Sequence, residues 1–278
     1  MAIIKLERDD QNSSVAILTM NRPEAMNSFN ADVCIEMCRL LKEADADPSV
    51  RVVILTGAGR AFCAGADISK GFGGSVAGTE MGTHEGVPRD FGGVLNLTIF
   101  EMNTPIIAAI NGSAVGIGFT MTLPCDIRIA AKKAKYGIPF TRRGIVFDGA
   151  SSWFLPKLVG FSKATEWSLR GDFIPPEDGL SSGLFAEVLN NEDVLPRALE
   201  LAREMATLCS PTSLAQNKIL LRNAMLAPGT MENGPFKAHM EESVMLTAAF
   251  TSADCTEGVK SFLEKRAPNF GAYKGQKA

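Results

Sequence analysis

Two stretches of small residues expose main-chain N–H groups where an anion or a polarised carbonyl oxygen could dock. The first, Arg60-Ala61-Phe62-Cys63-Ala64-Gly65-Ala66-Asp67-Ile68, follows an apolar run ending in Gly57-Ala58-Gly59. Its small side chains let a ligand approach the backbone closely, although a tight loop needing Gly65 at positive φ reads the same way. The second, Asn111-Gly112-Ser113-Ala114-Val115-Gly116-Ile117-Gly118, passes from strand to helix near Gly116. A helix start carries unpaired donors and a favourable dipole. Two such donors converging on one oxygen would stabilise a thioester enolate.

A base for such chemistry is available in Asp148, within Gly144-Ile145-Val146-Phe147-Asp148-Gly149-Ala150-Ser151-Ser152-Trp153-Phe154-Leu155-Pro156. The same aspartate also reads as the N-cap of a helix over Gly149–Val159, because Asp is favoured there. Folding of Val146, Phe147, Phe140 or Trp153 around the carboxylate would raise its pKa by desolvation. Only His84 and His239 occur in the chain, so a Ser-His-Asp or Cys-His apparatus has few bases and a His-rich metal site is not expected. His84 and Glu85 lie in a glycine-rich loop, and Glu241 and Glu242 read as a solvated helix face.

These residues must be held by an alternation of strands and helices. Ser14–Met20 alternates and is β-branched, and Val50–Thr56 is a short apolar run, so both read as strands. Between them Val33, Met37, Leu40, Leu41 and Ala44 recur with helical period, with Asn30 as a candidate N-cap and Pro48 beyond the end. Phe91–Met102 reads as helix, and Pro105–Ile110 and Asp126–Ala130 as strands. The first 190 residues are therefore α/β, a sheet covered by helices. After Leu189 the readings are all helical, over Val194–Cys209, Thr212–Leu226, Ala238–Phe250 and Thr256–Arg266. No sheet is expected beneath them. Ser69–Arg89 reads as a surface loop able to act as a lid.

Composition removes several classes. The 278 residues are 46% hydrophobic and 21% charged, which describes a folded globular chain. The balance of 28 Lys+Arg against 31 Asp+Glu gives −3, without the basic excess that nucleic-acid binding needs. Six cysteines without a C-x-x-C pair read as reduced thiols. Met1–Asp10 lacks a secretory pattern and the C-terminus lacks a peroxisomal tripeptide, so a cytoplasmic location is expected. The uncharged stretch from Glu101 to Asp126 is broken by Pro105, Asn111-Gly112, Gly116, Gly118 and Pro124, and reads as buried core rather than a span of ~30 Å of hydrocarbon.

Asn21-Arg22-Pro23, Ala64-Gly65-Ala66-Asp67-Ile68, Asn111-Gly112 with Gly116-Ile117-Gly118, and Cys125-Asp126 together resemble the signature of the crotonase (enoyl-CoA hydratase/isomerase) superfamily, in order and spacing, over about Ile4–Phe270. The resemblance implies a spiral of ββα turns over residues 1–190 and a helical trimerisation region over 191–278. It implies an acyl-CoA thioester as substrate, CoA being part of it, with no separate cofactor and no metal. The N–H groups of Ala66 and Ile117 would form the oxyanion hole. Glu24, Ala25, Ala64, Asp67 and Ile68 match positions that contact CoA, and Phe262 and Lys265 match positions that reach it from a neighbouring subunit of a trimer or dimer of trimers. By residues alone the last two are a capped helix with a cationic end.

The sequence departs from the hydratases of that superfamily at two glutamates, whose places fall at Thr120 and at Phe140 in Tyr136-Gly137-Ile138-Pro139-Phe140. Neither side chain can do carboxylate acid–base work. The Asp148 region instead resembles the peroxisomal-type Δ3,Δ2-enoyl-CoA isomerases, where a glutamate at this place is the single base; dienoyl-CoA and ring-acting isomerases resemble this chain in using Asp. The expectation is a double-bond shift from 3-enoyl-CoA to 2-enoyl-CoA. An enoyl-CoA hydratase, a hydrolase of a cyclic β-dicarbonyl thioester, and an acyl-CoA-binding protein without turnover are the alternatives. Some superfamily members borrow a C-terminal acid, which keeps Glu241 and Glu242 as candidate helpers.

Overall fold

A computed structural model of the chain describes residues 2–67, 83–84, 87–226, 240 and 252–271. The expected Ser69–Arg89 loop and Ala238–Phe250 helix therefore fall mostly outside the described residues. The chain opens with β1 (Ile4–Arg8) and β2 (Val15–Met20), then α1 (Ala31–Ala46). The Asn30 carboxamide accepts the Val33 N–H at 3.0 Å and fixes the start of α1. Val33, Met37, Leu40, Leu41 and Ala44 are buried along one face.

Next come β3 (Val52–Gly57), β4 (Ala61–Cys63), the two-residue strands β5 (Thr83–His84) and β6 (Val87–Pro88), and α2 (Phe91–Glu101). The same order recurs in β7 (Ile106–Ile110), β8 (Ser113–Val115) and α3 (Ile117–Thr120), and again in β9 (Ile127–Ala131) and β10 (Tyr136–Gly137), followed by α4 (Ser151–Val159), α5 (Phe161–Arg170) and α6 (Pro176–Ser181). Then follow β11 (Glu187–Leu189), α7 (Asn191–Leu208), α8 (Pro211–Leu226) and a helix over Ala253–Glu264.

Nine of these strands sort into two sheets, and β5 and β6 pair with each other as a separate two-stranded ribbon. Six form the order β1-β2-β3-β7-β9-β11, and three form β10-β8-β4. Within these two sheets all pairs are parallel except β1 with β2. Each turn thus contributes one strand to the large sheet, one to the small sheet, and then helix, which is a ββα spiral.

The large sheet is covered on both sides, as a parallel sheet requires. Val53, Leu55, Ala108 and Ile110 face the core shared with α1 and α2. Val52, Ile54, Ile107 and Ala109 face the other way, against Val194, Ala198, Ala202 and Ala206 of α7. The expectation that the helices after Leu189 have no sheet to cover is therefore corrected: α7 carries small residues every four positions and lies on the back of the sheet. The uncharged stretch after Glu101 resolves into β7, β8 and α3, and among the described residues no helix is long and apolar enough to cross a membrane. All six cysteines are free.

Candidate active site

The C-terminal ends of β4 and β8 lie side by side because the small sheet pairs Cys63 with Ala114. Glycine makes this approach possible. A Cβ at Gly118 would stand 2.2 Å from the Cys63 carbonyl oxygen, and Gly65, at φ +110°, leaves 3.0 Å to the Val115 carbonyl.

Beyond β4 the chain makes a parallel bridge with Phe29: the Phe29 N–H donates to the Gly65 carbonyl and the Asp67 N–H to the Phe29 carbonyl, each at 2.8 Å. Such a bridge uses alternate residues, so the Ala66 N–H is turned away from Phe29. Ile117 is the first residue of α3, where the N–H has no intrahelical acceptor. Among the described residues neither N–H has a protein acceptor. Both residues line one cleft of about 450 Å³.

Asp148 lines the same cleft, with Ala64, Phe140 and Asp90. Its carboxylate accepts a hydrogen bond from the Thr120 hydroxyl at 2.7 Å. Loss of water around it pushes its pKa up to about 6; the Thr120 bond opposes the rise and the Asp90 charge adds to it. Of the residues expected to cause this rise, Phe140 lines the cleft, whereas Val146 is 82% and Phe147 37% exposed. The other apolar surroundings come from Phe91 and Ile117, brought in from elsewhere in the chain.

The N-cap reading of Asp148 is corrected as well. Helix α4 begins at Ser151, after Ala150 at φ +54°, and has no side-chain cap. The Asp148 main-chain carbonyl, not its carboxylate, accepts from the Ser151 N–H and hydroxyl, at 2.9 and 2.6 Å. The carboxylate is left for the cleft. Cys63, buried beneath it, has its thiol pushed up to about 12 by burial and by that negative neighbour, so it is no thiolate nucleophile at neutral pH.

The structure thus brings Ala64, Ala66, Ile117 and Asp148 together, with Thr120 and Phe140 beside them. Others expected at the site do not line the cleft. Asp67 pairs with Arg22 at 3.4 Å, next to the 3-10 turn Pro23–Ala25 that carries Glu24 and Ala25. Lys265 is exposed just past the C-terminal helix at φ +53°. Phe262 is carried by that helix, its side chain outside the described set, as is the His84 side chain on β5. Ile68, Glu85, His239, Glu241 and Glu242 lie outside the described residues. Among those described, no cluster of His, Cys, Asp or Glu could hold a metal ion.

Sequence reasoning missed Asp90 and Asn96. An aspartate directly before a helix beginning at Phe91 is an N-cap signal, which could have placed Asp90; nothing in the local pattern marks Asn96, which sits on the buried side of α2.

A family model described as Enoyl-CoA hydratase/isomerase matches residues 10–273. The chain is 43% identical over 257 residues to the enoyl-CoA hydratase ACTT3 of Alternaria alternata, covering 92% of this chain and 82% of that protein. It is 34% identical over 258 residues to the 1,2-epoxyphenylacetyl-CoA isomerase of Escherichia coli (strain K12), covering 92% and 94%. The crystal structure of an enoyl-CoA hydratase from Bacillus anthracis superposes with a TM-score of 0.84 at 28% identity, covering 97% of this chain and 99% of that one.

Proposed function

The chain belongs to the enoyl-CoA hydratase/isomerase family, and we propose that within it the protein shifts the double bond of a 3-enoyl-CoA to the 2-position, with Asp148 as the base. The thioester oxygen sits between the N–H groups of Ala66 and Ile117. Asp148 takes a proton from C2, and the electron pair delocalises to the thioester oxygen, where the two donors stabilise it. The same carboxyl returns the proton to C4 as the double bond settles between C2 and C3. Atoms and charge balance with no water consumed.

The observation that carries this reading is the hydrogen bond from Thr120 to Asp148. At the place of one hydratase glutamate stands a hydroxyl that serves the aspartate, and at the other stands Phe140, an apolar wall. A carboxylate poised near 6 is ionised enough at neutral pH to take a proton and basic enough to return it.

Hydration of a 2-enoyl-CoA is the second reading, favoured by the name of the Alternaria relative. One experiment separates them: incubation with a 3-enoyl-CoA and a 2-enoyl-CoA in deuterated water, following positional shift, water addition and C2/C4 exchange together. A shift with exchange and little 3-hydroxyacyl-CoA supports the isomerase; efficient 3-hydroxyacyl-CoA formation overturns it in favour of the hydratase. Neither exchange nor product, with acyl-CoA still bound, would leave an acyl-CoA binder. A trimer belongs to the same proposal, because Lys265 does not line the cleft of its own chain and would serve that of a neighbour. Sedimentation showing a monomer at micromolar concentration would sink that part.

A further inference from the structure

We propose that Asp90 is a positioning residue for Asp148, acting with Asn96 of the same helix to grip Gly149, the residue next to the base, by both its N–H and its carbonyl. The inference rests on Asp148 being the base. The Asp90 carboxylate, at the N-cap of α2, accepts the Gly93 N–H at 2.6 Å and, on the same oxygen, the Gly149 N–H at 3.1 Å. Two turns further along, the Asn96 amide donates to the Gly149 carbonyl at 2.7 Å and to the Thr120 carbonyl at 3.1 Å.

Helix capping needs only the first of these bonds. The others join α2 to the two segments that carry Asp148 and the Thr120 hydroxyl bonded to it. Gly149 is at φ +61°, and a Cβ there would stand 2.5 Å from the Asn96 amide nitrogen, so the turn is pressed directly against its clamp. Asn96 is fully buried, and its side-chain oxygen has no partner among the described residues. A buried orphan acceptor is costly, a cost an apolar residue would avoid. The two carbonyls that Asn96 satisfies are what offset it.

Asp90 also bears charge on the base. The groups facing Asp148 are the Thr120 hydroxyl of α3, the Cys63 thiol of β4 and Asp90 of α2, with Arg142 and Arg143 on a further wall of the cleft and Arg142 paired to Asp172. A negative neighbour disfavours ionisation of Asp148 and so strengthens it as a base. Position and basicity thus share one side chain, and substitution can separate them.

The test is kcat, KM and the pH profile of kcat/KM on a 3-enoyl-CoA for Asp90→Asn, Asp90→Ala and Asn96→Ala, beside Asp148→Asn. Asn keeps an acceptor oxygen and is a good N-cap. Asp90→Asn should move the acid limb to lower pH and lower kcat at pH 8 less than Asp90→Ala does. Asp90→Ala and Asn96→Ala should lower kcat about ten- to hundredfold with KM changed far less, because a displaced base loses rate rather than binding. An unmoved acid limb in Asp90→Asn overturns the proposal. So does a kcat in Asp90→Ala within about twofold of wild type, or, should that variant not fold, the same result in Asn96→Ala. Full activity in Asp148→Asn instead overturns the base itself, an outcome distinct from failure of the clamp.

Discussion

The back of the large sheet and the wall of the cleft are built from the same kinds of element and by opposite rules. On the back, α7 sets Val194, Ala198, Ala202 and Ala206 against Val52, Ile54, Ile107 and Ala109, all buried and all apolar. No polar atom there has to be satisfied. At the cleft, a carboxylate is stripped of water, Ala150 is held at φ +54° without being glycine, and the Asn96 oxygen is orphaned. A left-handed non-glycine residue costs of order 1–3 kcal/mol. Between these two regions, local rules are broken at the cleft, where the proposed chemistry would take place, and obeyed on the back of the sheet, where only cohesion is needed.

The sharpest way to break that comparison is to remove the proposed base. Asp148→Asn should lower kcat on a 3-enoyl-CoA by about 10²–10⁴-fold, the usual worth of a positioned acid–base group, with acyl-CoA binding retained. Turnover near wild type would reduce the cleft to packing. Ile54→Ala tests the other region: a truncated side chain between sheet and α7 should cost about 2–5 kcal/mol of stability. Its kcat per folded molecule should stay at the wild-type value, measured below the lowered Tm. A kcat loss as large as that of Asp148→Asn would mean that the two regions are not separable.

How much of each region could be read from the chain follows from the same difference. The α7 stripe and the α1 face are periodic, and a period survives in sequence, so Val194–Cys209 and the Val33-to-Ala44 pattern fall on real helices. The β4 and β8 strands are three residues each, too short to show a period, and they emerged only through their resemblance to a family. The role of α7 was not legible, since nothing in an amphipathic helix says what it covers. Asp148, Ala66 and Ile117 were singled out by motif, but the Thr120 hydroxyl on Asp148, the Asp90 and Asn96 grip and the Phe91 and Ile117 share of the desolvation join segments up to 59 positions apart, as Asp90 and Gly149 are. Short-range pattern carries no trace of such pairs.

A stability measurement sharpens the comparison further. A carboxyl whose pKa is raised from 3.8 to about 6 on folding costs stability whenever it is ionised in the folded state. That cost is complete above pH 6 and vanishes as pH falls through 6 towards 3.8, where the folded group is protonated. Because the side chain is partly accessible, the full figure of about 3 kcal/mol is an upper bound and about 1–3 kcal/mol is expected. Asp148→Asn should therefore raise Tm by a few degrees at pH 8 and leave it unchanged near pH 4. An equal effect at both values would mean that desolvation of Asp148 is not a cost of the fold.

The smallest expected effect isolates one hydrogen bond. Thr120 is fully buried and its hydroxyl donates to Asp148 at 2.7 Å, so Thr120→Val keeps the volume and removes the donor. Hydrogen bonding to the charged form favours that form, and this bond holds the Asp148 pKa below where burial alone would put it. Without it the pKa rises further above about 6, and at any pH near the limb less of the enzyme carries the base. The acid limb of kcat/KM should move to higher pH, with the loss larger at pH 6 than at pH 9. Asp90→Asn should move the same limb the opposite way, since it removes the negative charge that raises the pKa. In the double variant the two shifts should partly cancel, while Thr120→Ser should return the limb to its wild-type place. A limb that stays fixed in all of these variants, in protein shown to be folded, would mean that the titrating group is not Asp148 and that the cleft works by another base.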